Sequence, residues 1–153
     1  MPVHSTRTRS SRGAVSAEQY RALAEFRRHL AEFLRRRKDA ALSEGLQPQQ
    51  YELMLAVHGL ADGKEPTIKE MANQLCLEHH TVVELVDRLA HKNMVTRTRS
   101  ALDKRAVLIR ITPVGQRVLS RIVRFSLMQM REEAPALIRS LQRISRGAGR
   151  SAA

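Results

Sequence analysis

TIKEMANQLCLEHHTVVELVDRLAHKNMVTRTRSALDKRAVLIRI, residues 67–111, breaks its apolar pattern once and then changes its period, and these two events decide the fold. Thr67 and Glu70 stand at capping-box spacing ahead of Ile68, Met71, Ala72 and Leu75, which fall on one side of a short helix. Cys76-Leu77 interrupts the pattern before Val82, Leu85, Val86 and Leu89 resume it at i, i+3, i+4 and i+7. Two short helices across a tight turn make a helix-turn-helix pattern. Past Asn93 the period falls to two: Val95, Arg97 and Arg99 alternate with Thr96 and Thr98, and Val107, Ile109 and Ile111 alternate with Leu108 and Arg110. Residues 100–104 between these runs are short and mostly polar, which predicts a hairpin with a charged tip.

Upstream, Ser16 is suited to cap a helix over about 17–43, with Leu23, Phe26, Leu30 and Phe33 on one seam and Gly45 past its end. Pro48 opens a second helix through Tyr51, Met54, Leu55 and Val57 or His58, which Asp62-Gly63 breaks. Downstream, Thr112-Pro113 repeats the start signal for a long helix marked by Val118, Leu119, Ile122, Val123 and Met130. Pro135 then predicts a separate last helix through Leu137, Ile138, Leu141 and Ile144. The expected class is mainly α (α+β): a winged helix-turn-helix with a two-stranded wing, flanked by long N- and C-terminal dimerisation helices. Residues 1–15 read as a flexible basic arm, 16–146 as one domain with its reader at about 46–112, and 147–153 as a disordered tail.

Lys and Arg number 27 against 15 Asp and Glu, and a net charge of +12 on 153 residues attracts polyanions. Nucleic acid leads, although charge alone does not separate DNA from RNA or an anionic membrane surface. No run approaches the roughly 18 apolar residues of a membrane span, and the N-terminus lacks the apolar stretch of a secretory signal, so a cytoplasmic location away from membranes is expected. A single cysteine excludes an internal disulfide framework.

With Val82, Leu85, Val86 and Leu89 buried, a 3.6-residue period puts His80, Glu84, Asp87 and His91 on the opposite face, flanked by Thr81 and Arg88, with His79 at the helix start. His80 and Thr81 have donors and acceptors for base edges, and Arg88 suits phosphate. Glu84 has two readings, local pairing with His80 and Arg88 or acceptance from cytosine N4. One metal ion cannot span His80 to His91, about three turns or roughly 16 Å, so no metal or other cofactor is expected. Neither a phosphate-cradling glycine loop nor a nucleophile elbow is visible, so an enzyme is not expected. Cys76 is read as a buried small residue in preference to an oxidant sensor.

The segment NMVTRTRSALDKRAVLIRITPVG resembles, without a gap, the wing and following helix start of the MarR family of regulators, and LCLEHHTVVELVDRLAHK before it resembles that family's recognition helix. Val95 and Arg97, Asp103 and Arg105, and the Thr-Pro start at Thr112 carry the likeness, which runs from about Leu46 to Gly115. Asn93 replaces a usual glycine, Cys76 a small turn residue, and Ser100 a frequent wing acid. The resemblance implies that Arg105 enters a minor groove with Asp103 orienting its guanidinium, and it adds Arg97 and Lys104 to the DNA-binding set of His79, His80, Thr81, Glu84 and Arg88. It further implies a homodimer on a pseudo-palindromic operator in double-stranded DNA and a small-molecule effector pocket, for which Phe26, His29, Tyr51, Leu55 and His58 are the candidate lining. The expected function is a sequence-specific, effector-modulated transcriptional regulator. The alternative is a structural nucleic-acid-binding protein without sequence readout.

Overall fold

Ser16 begins the helical chain as expected: its hydroxyl accepts from Gln19 N at 3.2 Å while the Gln19 side chain accepts from Ser16 N at 2.8 Å, so two orphan amides are satisfied reciprocally. The computed structural model describes residues 15–149; the basic arm expected over 1–15 lies, but for Val15, outside them, as do the last four residues. The elements run α1 (Ala17–Ser43), α2 (Pro48–His58), α3 (Ile68–Leu75), α4 (His79–His91), β1 (Val95–Arg99), β2 (Val107–Ile111) and α5 (Pro113–Gly149). The fold is mainly helical with a two-stranded antiparallel wing. The described chain divides into two compact units, one of residues 34–131 and one that pairs the N-terminal part of α1, up to residue 33, with the part of α5 from residue 132.

The larger unit holds the reader. Val82, Leu85, Val86 and Leu89 of α4 are all buried, together with Leu46, Met54, Met71, Ile109, Leu119 and Ile122. Each such side chain contributes about 1.5–3 kcal/mol when withdrawn from water. On α2 the inward positions are Gln50, Tyr51, Leu53 and Met54, whereas Leu55 faces solvent. Gly45 closes α1 with φ +75°, and Leu46 N reaches back to Ala41 O at 3.0 Å. Lys92 Nζ at the end of α4 donates to Gly45 O at 2.6 Å and to Gln50 Oε1 at 3.3 Å, which ties the reader helix to the α1–α2 turn. Arg121 on α5 grips Glu44 with two nitrogens, and this hydrogen bonding holds the Glu44 carboxyl below its ordinary range.

The wing is stitched to the same unit at both ends. Val95 pairs with Ile111 and Arg99 with Val107 in the hairpin, while Ile109 N donates to Pro66 O at 2.9 Å and Leu108 bridges to Thr67. Thr112 N donates to Met94 O at 3.0 Å, its hydroxyl donates to Asn93 O at 2.6 Å, and the same oxygen accepts from Gly115 N at 3.0 Å. Gly115 lies so close to the Met94 carbonyl that a Cβ there would stand 2.1 Å from its oxygen. The Thr-Pro-x-Gly signal is therefore both a helix cap and a close backbone crossing.

Several expectations are corrected. Pro135 does not open a separate helix; α5 runs through it to Gly149, because one missing amide, at about 3 kcal/mol, does not stop a helix whose side chains remain helix-compatible on both sides. The same run carries residues 147–149, assigned to a disordered tail, into the helix. The Thr67 and Glu70 box forms by half: Thr67 Oγ1 accepts from Glu70 N at 3.1 Å, but the Glu70 carboxylate turns to Lys64 at 3.0 Å and Gln74 at 3.1 Å. Helix α2 ends at His58, short of Asp62-Gly63. Cys76 is exposed, because it adopts the left-handed conformation, φ 52°, at the C-cap of α3 and its side chain projects to solvent.

In the smaller unit, Tyr20 and Leu23 on α1 and Ile138 and Leu141 on α5 are at least half exposed, while Phe26, His29 and Leu30 are half-buried. Arg143 pairs with Glu25 between the two helical segments. Among the described residues no helix is long and apolar enough to cross a membrane.

Candidate nucleic-acid interface

The turn into α4 is made by two backbone features. Cys76 takes the left-handed conformation and Leu77 N returns to Ala72 O at 3.0 Å, after which the extended Glu78 serves as N-cap without a side-chain cap bond. The first amides of α4 are thus left for an acceptor outside the helix. His79 and His80 are exposed there and Thr81 is half-exposed. Further along, Glu84 and Arg88 form an ion pair at 3.5 Å, the local pairing that competes with cytosine readout. His91 Nδ1 lies 2.8 Å from Asp87 O and, since a carbonyl oxygen only accepts, donates to it.

Asp87 does not stand free on the helix face. Its carboxylate pairs with Arg97 of β1, and Arg97 Nη2 also lies 3.5 Å from Val83 O. The strand is thereby fastened along α4, and Arg97, expected to contact DNA, is engaged with the helix. Asn93 makes the sharp passage from helix to strand with φ 55°, the geometry for which glycine would be usual.

The tip between the strands is organised by side-chain to backbone bonds. Asp103 Oδ1 accepts from Arg105 N at 2.9 Å, and Asp103 O accepts from Ala106 N at 2.9 Å. This corrects the expected pairing of Asp103 with the Arg105 guanidinium: the two-residue separation suits an Asx-turn, and the carboxylate fixes the backbone beneath Arg105. Among the described residues no carboxylate pairs with Arg105, and Lys104 and Arg105 are both exposed. Arg99 and Arg110 add exposed cations to the strands. Neither was singled out in the sequence: alternation with Ile109 and Ile111 marks Arg110 as outward, whereas Arg99 shares a face with the buried Val95 and carries no such signal. Ser100 was also passed over as a functional residue, and it is buried at the base of the tip.

Of the effector candidates, Tyr51 is buried in the core of the larger unit, and Leu55 and His58 are exposed on α2; Phe26 and His29 belong to the smaller unit. Among the described residues no group of His, Cys, Asp and Glu is placed to hold a metal ion.

The MarR family model matches residues 50–107, which cover α2 through the start of β2. Over that segment the chain resembles the MarR family. An HTH-type transcriptional regulator of Bacillus subtilis (strain 168), YsmB, is 26% identical over 97 residues, 63% of this chain and 64% of that relative, so just under two thirds of the relative's length is spanned. AbsC, a MarR family transcriptional regulator from Streptomyces coelicolor, is similar in structure with a TM-score of 0.68 over 78% of this chain and 80% of its own, at 13% identity. A mutant MarR from E. coli, solved in complex with operator DNA, superimposes with a TM-score of 0.60 over 76% of this chain and 79% of its own, at 18% identity. At those identities the two structures speak for the fold. They extend the likeness of fold beyond the matched segment.

Proposed function

We propose that this chain is a MarR-family regulator that binds a pseudo-palindromic operator in double-stranded DNA as a homodimer, with α4 in the major groove and the wing tip in the flanking minor groove. The observation that carries the reading is the joint presentation of α4 and the wing, fastened through Asp87 and Arg97, with His79, His80, Lys104 and Arg105 open to solvent. An α-helix fits the major groove, and an unpaired guanidinium suits the negative potential of a narrow A·T-rich minor groove. Thr81, Glu84 and Arg88 complete the helix contacts, while Asp103 holds the backbone under Arg105. The operator complex of the E. coli relative supports this mode by likeness of fold.

The apolar side chains exposed on the smaller unit, Tyr20, Leu23, Ile138 and Leu141, support a second copy as their cover. A two-fold dimer matches two half-sites about one helical turn apart. An effector would change DNA affinity by favouring one arrangement of the two readers. The test is a binding series at fixed salt against a duplex selected by the protein from a randomised library and against random duplex. A preference of roughly a thousandfold is expected. Equal affinities would replace sequence readout with general nucleic-acid binding.

A further inference from the structure

We propose that Ser100 is a positioning residue for the wing: its hydroxyl, held by Glu65 of the loop before α3, fixes the turn that presents Arg105. The inference rests on the DNA-binding reading above. Ser100 is 3% exposed at the base of the tip. Its Oγ donates to the Glu65 carboxylate, at 2.7 Å to one oxygen and 3.0 Å to the other, and accepts from Leu102 N at 3.0 Å and Asp103 N at 3.1 Å. A serine hydroxyl has one proton and two lone pairs, and here all three are engaged. Ser100 N also donates to Ala106 O at 3.0 Å, which closes the loop across its base.

The chemistry of this site selects the residue type. Two converging amides call for an acceptor, and an aspartate would serve them well, but Glu65 faces the same point with a carboxylate that needs a donor. A hydroxyl satisfies both. The bond has a mechanical consequence because Glu65 belongs to the loop that also takes Ile109 N onto Pro66 O and leads into Thr67, the N-cap of α3. The tip is thus anchored to the start of the supporting helix as well as to its own strands. Asp103, fixed by its amide to Ser100, in turn accepts from Arg105 N, so the order of restraint runs from Glu65 through Ser100 and Asp103 to Arg105.

Two measurements on the full chain test this. In the free protein, Ser100→Ala should accelerate amide hydrogen exchange at Leu102 and Asp103, while Ser100→Thr preserves protection. Ser100→Asp should lose it through repulsion by Glu65, and adding Glu65→Gln should restore it, since the amide can donate to the new carboxylate. On the duplex selected by the wild-type chain, Ser100→Ala should weaken binding roughly fivefold to tenfold, and this loss should vanish in an Arg105→Ala background. Unchanged exchange in Ser100→Ala overturns the proposal, as does a binding loss that persists in full without Arg105. Indifference of the wild-type chain to duplex sequence would refute the functional reading alone, and the exchange result would still decide whether Ser100 holds the tip.

Discussion

Replacing Gly115 by alanine should destabilise the protein, although in the first turns of a helix the same change ordinarily stabilises. Alanine is favoured over glycine in a helix interior by about 1 kcal/mol, and Gly115 has no positive φ to set against that gain. The obstacle is steric. The new Cβ would lie 2.1 Å from Met94 O and 3.0 Å from Ile111 Cγ2, and the first of these neighbours is backbone, with no rotamer to change. Restoring normal contact demands a separation of more than about 1 Å between the start of α5 and the entry to β1. That displacement strains the bonds that join them: Thr112 N to Met94 O at 3.0 Å, and the Thr112 hydroxyl to Asn93 O at 2.6 Å. Two hydrogen bonds at about 1 kcal/mol each, with overpacking of about 1–3 kcal/mol, outweigh the propensity gain and leave a net loss of about 2–4 kcal/mol. Urea denaturation followed by circular dichroism measures it as a lower midpoint at unchanged slope. A Gly115→Ala protein as stable as the wild type, or more so, would refute the close crossing of α5 over Met94.

Arg105→Ala should lower affinity for the selected duplex while leaving the denaturation midpoint within about 0.5 kcal/mol of wild type, since the side chain is exposed and unpaired; equal affinity would remove Arg105 from the interface. Leu89→Ala, at a fully buried α4 position, should cost about 2–5 kcal/mol in the same denaturation assay. Glu44 has its pKa lowered from 4.5, first by its hydrogen bond to Arg121, so its stabilising contribution is present above that value and is lost as pH falls through the depressed folded pKa. Wild-type stability should therefore fall more steeply than that of Glu44→Gln as pH drops below 4.5, with the two curves converging in strong acid; parallel curves would show that the Arg121 pair contributes nothing in solution.

Those parts of the fold that depend on one-sided burial were legible in the sequence. The α4 stripe of Val82, Leu85, Val86 and Leu89 and the extent of α1 between Ser16 and Gly45 follow from periodicity and local capping, both of which neighbouring letters encode. Pro135 misled because a proline's local cost is fixed while the support for a helix comes from what its two sides continue to do. Leu53 escaped for a related reason: α2 is covered over more of its circumference than a single seam, so its inner positions do not stand out by period. At the proposed interface, the exposure of His79, His80, Lys104 and Arg105 was legible from face and charge. The partners of Asp87 and Ser100 could not, since Arg97 lies ten residues away on another element and Glu65 thirty-five residues away. Such pairs are set by how strands and helices meet, and no spacing rule reports them.

Two ion pairs, one within α4 and one between α4 and β1, also answer the electrostatic difficulty that an acidic helix face would meet before a polyanion. Unpaired carboxylates at positions 84 and 87 would oppose phosphate directly, but each has a guanidinium within reach, Arg88 for Glu84 and Arg97 for Asp87. The two pairs are not equivalent. Glu84 and Arg88 are joined at 3.5 Å with both side chains more than half exposed, so separating them costs about 0–1 kcal/mol and Arg88 is free to turn to a phosphate. Arg97 is held between Asp87 and the Val83 carbonyl, so its charge goes to fastening the wing along α4. In the proposed complex the arginines therefore divide into those that can be surrendered to DNA, Arg88 and Arg105, and one, Arg97, whose release would loosen the wing along α4.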